Sequence, residues 1–73
     1  MAKACILIKT TPNASDRVLE KLRKMKATKK AYIAFGRWDL VALIDASLDE
    51  IAKISASINS MEDVRTSETL PEA

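Results

Sequence analysis

Residues 29–46 decide the fold, and they are Lys-Lys-Ala-Tyr-Ile-Ala-Phe-Gly-Arg-Trp-Asp-Leu-Val-Ala-Leu-Ile-Asp-Ala. Two mainly apolar runs, 29–35 and 38–46, flank Gly36, the only glycine in the 73 residues. Such runs, rich in β-branched and aromatic residues and bounded by a turn, predict two strands. Because Gly36 can adopt a positive φ, we expect a tight antiparallel hairpin that turns at Gly36 and Arg37.

A strand and a helix are predicted before the hairpin. Residues 4–10, Ala-Cys-Ile-Leu-Ile-Lys-Thr, form an apolar run that indicates a first strand. Residues 13–26 form an amphipathic pattern, which predicts a helix with Asn13 or Ser15 as its N-cap. The residues expected on its buried face are Val18, Leu22 and Met25.

A second helix and a last strand are predicted after the hairpin. Ser47 and Glu50 have the spacing of a capping box, which indicates a helix start. Residues 64–70 predict a strand, and we expect residues 71–73 to fray. The residues expected on the buried face of the second helix are Ile51, Ile54, Ile58 and Met61.

The predicted order is βαββαβ, and an internal repeat supports it. A shift of 36 residues places Leu7 on Leu43, Val18 on Ile54 and Leu22 on Ile58. Two right-handed βαβ units that share one sheet form an α+β, ferredoxin-like sandwich, with four antiparallel strands and both helices on one face. Residues 1–73 are therefore expected to form one domain.

Both faces of the predicted sheet are apolar. In the first strand Ile6 and Ile8 alternate with Cys5 and Leu7, and the third strand is equally apolar on its two sides. Two helices cover only one face, and a chain of this size buries only about 60% of its surface. We therefore expect a homodimer that packs sheet to sheet.

The composition indicates neither an enzyme nor a metal protein. The sequence has no histidine and one cysteine, so it lacks a usual general base, a disulfide and a structural zinc set. Cys5 is interpreted as a buried small hydrophobe rather than a reactive thiol. No catalytic residue, metal or cofactor is predicted, and the absence of a signal peptide or apolar run of membrane length predicts a cytoplasmic protein.

Charge is distributed unevenly along the chain. Residues 17–30 carry seven basic residues against Glu20, whereas residues 45–63 carry five acidic residues against Lys53. The basic stretch could contact phosphates, but no aromatic pair on the central strands offers a platform for bases. A solvated helix face is the simpler interpretation, and pairing of the basic helix with an acidic helix of another dimer is a further one.

The hairpin turn is the candidate binding site. Gly36 leaves backbone amides available to a carboxylate, Asp39 supplies a negative charge for an ammonium group, and Trp38 adds a flat apolar wall. These groups suit the two charges of a free amino acid. The competing interpretation is structural, with Gly36 serving the turn, Asp39 capping the hairpin and Trp38 packing in an interface.

Three segments together resemble a known family. They are Ile-Lys-Thr at 8–10, Ala-Tyr-Ile-Ala-Phe-Gly-Arg-Trp-Asp-Leu-Val-Ala at 31–42, and Val-Arg-Thr-Ser-Glu-Thr at 64–69. This pattern resembles the effector-binding domain, called the RAM domain, of the Lrp/AsnC (leucine-responsive, feast/famine) transcriptional regulators. The resemblance covers nearly the whole chain. Asn13 and Asp63 stand where the family commonly has glycine, and both residue types tolerate a left-handed conformation.

The resemblance implies a sandwich that dimerises through its sheets, assembles into larger rings and binds an amino-acid effector between dimers. Since the first strand begins directly after Met1-Ala2-Lys3, we expect a stand-alone domain without the helix-turn-helix and without direct DNA contact. Expected partners are further copies of the chain and full-length regulators. A purely structural assembly domain and a small ferredoxin-like monooxygenase are the alternatives. The expected ligand-binding residues are Gly36, Arg37, Trp38 and Asp39, with Thr66 and Glu68 as weaker candidates.

Overall fold

The computed structural model describes residues 2–72 and has the predicted order βαββαβ. The strands pair antiparallel in the order β2-β3-β1-β4, so the ferredoxin-like arrangement is confirmed. The expected domain, 1–73, includes Met1 and Ala73, which lie outside the described residues. The elements are β1 (Ala2–Thr10), α1 (Ser15–Lys24), β2 (Thr28–Ile33), β3 (Leu40–Ala46), α2 (Leu48–Asn59) and β4 (Val64–Pro71).

The core lies between the sheet and the two helices. Alternate residues of β1 are buried, as a strand with one face on a core requires. Val18 and Leu22 from α1 and Ile58 from α2 are fully buried against these strand residues. Leu19 is buried as well, although the predicted face of α1 did not include it. Each buried aliphatic side chain stabilises the fold by about 1.5–3 kcal/mol.

The two helices begin differently. Ser47 Oγ accepts from the Glu50 amide at 3.2 Å, and the Ser47 amide donates to Glu50 Oε1 at 3.3 Å, so the capping box is confirmed. The predicted N-cap of α1 is wrong, because Ala14 holds that position without a side-chain cap. Ser15 Oγ instead lies 3.1 Å from Thr10 Oγ1.

Two left-handed residues shape the loops beside α1 and β4. Asn13 has φ 64° and Asp63 has φ 75°, which confirms the expected tolerance of both positions. Asp63 also joins the two loops, since its carbonyl accepts from the Thr11 amide at 2.9 Å and Thr11 Oγ1 donates to its Oδ1 at 3.0 Å. Arg17 adds an ion pair with the same carboxylate at 3.3 Å.

The hairpin between β2 and β3 is wider than the sequence predicted. The strands end at Ile33 and begin again at Leu40, and the Ala34 amide donates to the Asp39 carbonyl at 2.9 Å. Gly36 has the expected positive φ, 144°. The turn is not a two-residue one because the Asp39 amide donates to the Ile8 carbonyl at 2.9 Å, which ties the end of the loop to β1.

The end of β4 is paired rather than frayed. β4 pairs with β1 through Pro71, opposite Ala4, and the Glu72 amide donates to the Lys3 carbonyl at 2.7 Å. The expectation of fraying is therefore wrong for Pro71 and Glu72, because β1 starts early enough to offer them a partner. Ala73 lies outside the described residues.

Candidate functional site

The predicted site residues lie at one end of the sheet. The loop of residues 34–39 joins β2 to β3 at the end where β1 finishes and β4 begins. On the other side of β1, Thr66 pairs with Lys9 and Glu68 pairs with Leu7. Thr66 therefore lies at the level of the loop, and Glu68 lies two residue pairs further along the strand, on the same face.

Asp39 is held by the end of β1. Its Oδ2 accepts from the Thr10 amide at 2.8 Å and lies 3.4 Å from Thr10 Oγ1. Thr10 is only 5% exposed, so its amide would otherwise be buried without an acceptor. The carboxylate thus anchors the loop to β1, which is the structural interpretation of this residue. Within residues 2–72, Oδ1 makes no hydrogen bond.

The loop itself exposes aromatic surface. Phe35 is 97% exposed and Trp38 is half-buried. No atom lies within 4 Å of a Cβ built on Gly36, so glycine is needed there for its φ of 144° rather than for space. Any other residue would be strained at that φ.

Lys9 is a residue of this region that sequence reasoning missed. Its Nζ donates to the Arg37 carbonyl at 3.1 Å. At Arg37 the loop therefore offers Lys9 a carbonyl oxygen rather than an amide. The ammonium group of Lys9 lies directly beside the loop. The sequence showed Lys9 only as a lysine near the end of an apolar strand and as part of the Ile-Lys-Thr segment of the resemblance, and its proximity to the loop depends on the sheet register.

The face of the sheet opposite the helices, called the open face below, carries the expected second apolar surface. Leu70 is 48% exposed, Tyr32 is 40% exposed and Leu43 is 37% exposed. Cys5 is only partly buried here, so the interpretation of it as a buried hydrophobe is wrong for the chain alone. The apolar residues of the open face are Cys5, Leu7, Tyr32, Val41, Leu43 and Leu70.

Two arginines of the basic stretch make contacts within the folded chain. Arg23 donates from Nε at 3.3 Å and from Nη2 at 3.0 Å to the Ala31 carbonyl on the outer edge of β2. Arg17 pairs with Asp63. Lys21 and Lys24 are exposed on α1, as a solvated helix face requires. β2 is an edge strand, so its outward carbonyls could pair with a strand of another chain. The Arg23 guanidinium takes up one of these carbonyls, that of Ala31.

Known structures resemble the whole chain. FFRP-DM1 matches with a TM-score of 0.94 and 28% identity over all of both chains. TTHA0845 from Thermus thermophilus matches with a TM-score of 0.94 and 28% identity, over 100% of this chain and 94% of that one. AsnC from E. coli matches with a TM-score of 0.86 and 19% identity, over 97% of this chain and 50% of AsnC. No protein-family model and no curated protein matches the chain.

The chain shares its fold with about half of AsnC and with about half of an AsnC-family transcriptional regulator from Agrobacterium tumefaciens, which matches with a TM-score of 0.80 and 11% identity. The resemblance found in the sequence is confirmed by the fold: the chain is similar to FFRP-DM1 over the whole of both chains and to AsnC over half of AsnC. Across residues 2–72, no helix is long and apolar enough to span a membrane.

Proposed function

We propose that residues 1–73 act as an amino-acid-sensing and oligomerisation module of the Lrp/AsnC type. In this proposal the module modulates transcription by assembling with itself or with full-length regulators. The AsnC-type neighbours support a regulatory role of this kind. The module works in the cytoplasm and has no catalytic step.

The open face is the observation that carries the proposal. Leu43, Tyr32 and Leu70 leave apolar surface on a chain that already buries little of its area. Contiguous apolar surface of this kind marks an interaction site. A second copy offers the same apolar face, so a sheet-to-sheet dimer covers both faces at once.

The loop and the start of β4 are the proposed ligand site. A free amino acid needs an acceptor for its ammonium group and a donor for its carboxylate, close to an apolar wall. Oδ1 of Asp39 supplies the acceptor, the amides of Gly36 and Arg37 supply donors, and Trp38 supplies the wall. Thr66 and Glu68 contribute from the neighbouring strand.

The proposed site is open to solvent on the side of Phe35. A neighbouring dimer that packs against this loop would close it. A ligand seated between two dimers favours the assembly that completes its site, so binding shifts the balance between assembly states.

The test is light scattering coupled to size exclusion, with and without a mixture of the twenty amino acids. The proposal predicts a multiple of the dimer mass that changes with the mixture, and omission of single components then identifies the effector.

Calorimetry with Asp39→Asn follows, because asparagine keeps an oxygen for the Thr10 amide and removes the charge. The matched control is Asp49→Asn on α2. Unchanged affinity in Asp39→Asn would show that Asp39 does not hold the ammonium group.

A purely structural assembly domain is the second candidate, and the bonds of Asp39 to Thr10 favour it. It predicts oligomers whose mass and melting temperature do not respond to any amino acid.

The monooxygenase alternative needs a cavity between sheet and helices. Val18, Leu22 and Ile58 are fully buried in that layer, which leaves no support for it.

A further inference from the structure

A groove crosses the open face at the end remote from the hairpin loop. Its volume is about 410 Å³, and its floor is formed by Cys5, Leu43 and Leu70. These residues come from β1, β3 and β4. Lys29, on the remaining strand β2, also lines the groove. The groove therefore runs across the whole width of the sheet.

Four charged residues line this groove: one on each of β2, β3 and β1, and one directly after β4. In the order of the strands across the sheet they are Lys29, Asp45, Lys3 and Glu72, so the sign of the charge alternates. Lys3 and Asp45 are direct cross-strand partners, and the Glu72 amide donates to the Lys3 carbonyl. In the part of the chain that the structure describes, none of the four forms an ion pair within 4 Å.

We propose that this row of charges sets the orientation of the sheet-to-sheet dimer, with a two-fold axis parallel to the strands between β3 and β1. Such an axis places β3 over β1 of the second copy and β2 over its β4, at the same level along the strands. Lys3 then faces Asp45 of the second copy, and Lys29 faces its Glu72. The row is complementary to itself in this orientation, and each contact occurs twice.

The other face-to-face orientation brings like charges together. A two-fold axis across the strands reverses their ends, so Lys3 would face the opposite end of β1, where Lys9 lies on the same face. The axis along the strands instead places Cys5 over Leu43 of the second copy. Both orientations cover apolar surface, so the charges discriminate between them, and juxtaposed like charges suppress the wrong one.

The inference rests on the proposed sheet-to-sheet dimer, and a pair of charge reversals tests it. Asp45→Lys alone makes the introduced lysine face Lys3 of the second copy, and Lys3→Asp alone makes two carboxylates face each other. We expect each variant to raise the dimer Kd about tenfold or more. A mixture of the two restores opposite charges at both contacts, so the mixed dimer should exceed the proportion that random pairing gives.

The mixture separates the interface from the fold. Each variant places like charges side by side within its own sheet, and the mixed dimer does not relieve that repulsion. Native mass spectrometry counts the three dimers, since the two variants differ in mass. The matched control is Asp49→Lys mixed with Lys53→Asp, an exposed pair on α2, which should pair at random.

A second pair of charge-reversal variants keeps the test possible if the first pair does not fold. If Asp45→Lys or Lys3→Asp loses its circular dichroism signal, Lys29→Asp and Glu72→Lys replace them at the outer ends of the groove. Random proportions in the mixture, with a dimeric wild type, would overturn the charge-set orientation and leave the dimer standing. A wild type that stays monomeric would overturn the proposed dimer itself.

Discussion

Replacement of Asp39 by alanine should destabilise the protein by removing the anchor between the hairpin loop and β1. The bond from the Thr10 amide to Asp39 Oδ2 is 2.8 Å long and involves a charged acceptor. Loss of such a bond costs about 1.5–3 kcal/mol, and the 3.4 Å hydroxyl contact adds little. A chain of this length has a total free energy of unfolding of about 4–11 kcal/mol. The variant should therefore lose a substantial part of its stability.

The assay is urea unfolding followed by circular dichroism at one fixed protein concentration, because assembly makes stability depend on concentration. Asp39→Ala should lower the urea midpoint without changing the slope of the transition. Asp39→Asn keeps the acceptor for the Thr10 amide and should cost about 1 kcal/mol or less. If Asp39→Ala stays within about 0.5 kcal/mol of the wild type, the anchoring role is refuted.

Three further substitutions test the core, the helix cap and the open face. Leu22→Ala removes a fully buried side chain and should cost about 2–5 kcal/mol in urea unfolding; a smaller loss would contradict the core position. Ser47→Ala removes the capping box and should cost about 1 kcal/mol, which lowers the melting temperature by about 4–8 °C, whereas exposed Ser57→Ala should not lower it. Leu43→Lys on the open face should dissociate the dimer in light scattering, and exposed Leu48→Lys on α2 should not; equal masses for both would argue against sheet-to-sheet packing.

Local patterns predicted most of the fold because they depend on neighbours in sequence. The alternation in β1, the helical spacing before residue 26 and the Ser47–Glu50 cap each involve residues at most a few positions apart. The preference of Asn13 and Asp63 for a left-handed backbone is likewise a property of the residue itself. These features agree with the structure.

The errors arose where contacts distant in sequence decide the conformation. The width of the hairpin depends on Asp39 bonding Ile8 and Thr10, about thirty positions earlier. Pairing of Glu72 with Lys3 depends on the register between the first and last strands. The N-cap of α1 was misplaced because Ser15 bonds Thr10 instead of its own helix.

The sequence predicted where the candidate site lies, but it did not predict the hydrogen bonds that its residues make. The glycine in the loop marks the turn, and the strand order brings Thr66 to the same end of the sheet. That Asp39 is already bonded to Thr10, and that Lys9 donates to the Arg37 carbonyl, follows only from the folded geometry.

The central claim is that a second copy covers the open face, and the mass in solution tests it most directly. Light scattering across a range of concentrations should give twice the chain mass of 8.1 kDa or a multiple of that dimer, down to low concentration. A particle of 8.1 kDa at every concentration, with and without amino acids, would contradict the account.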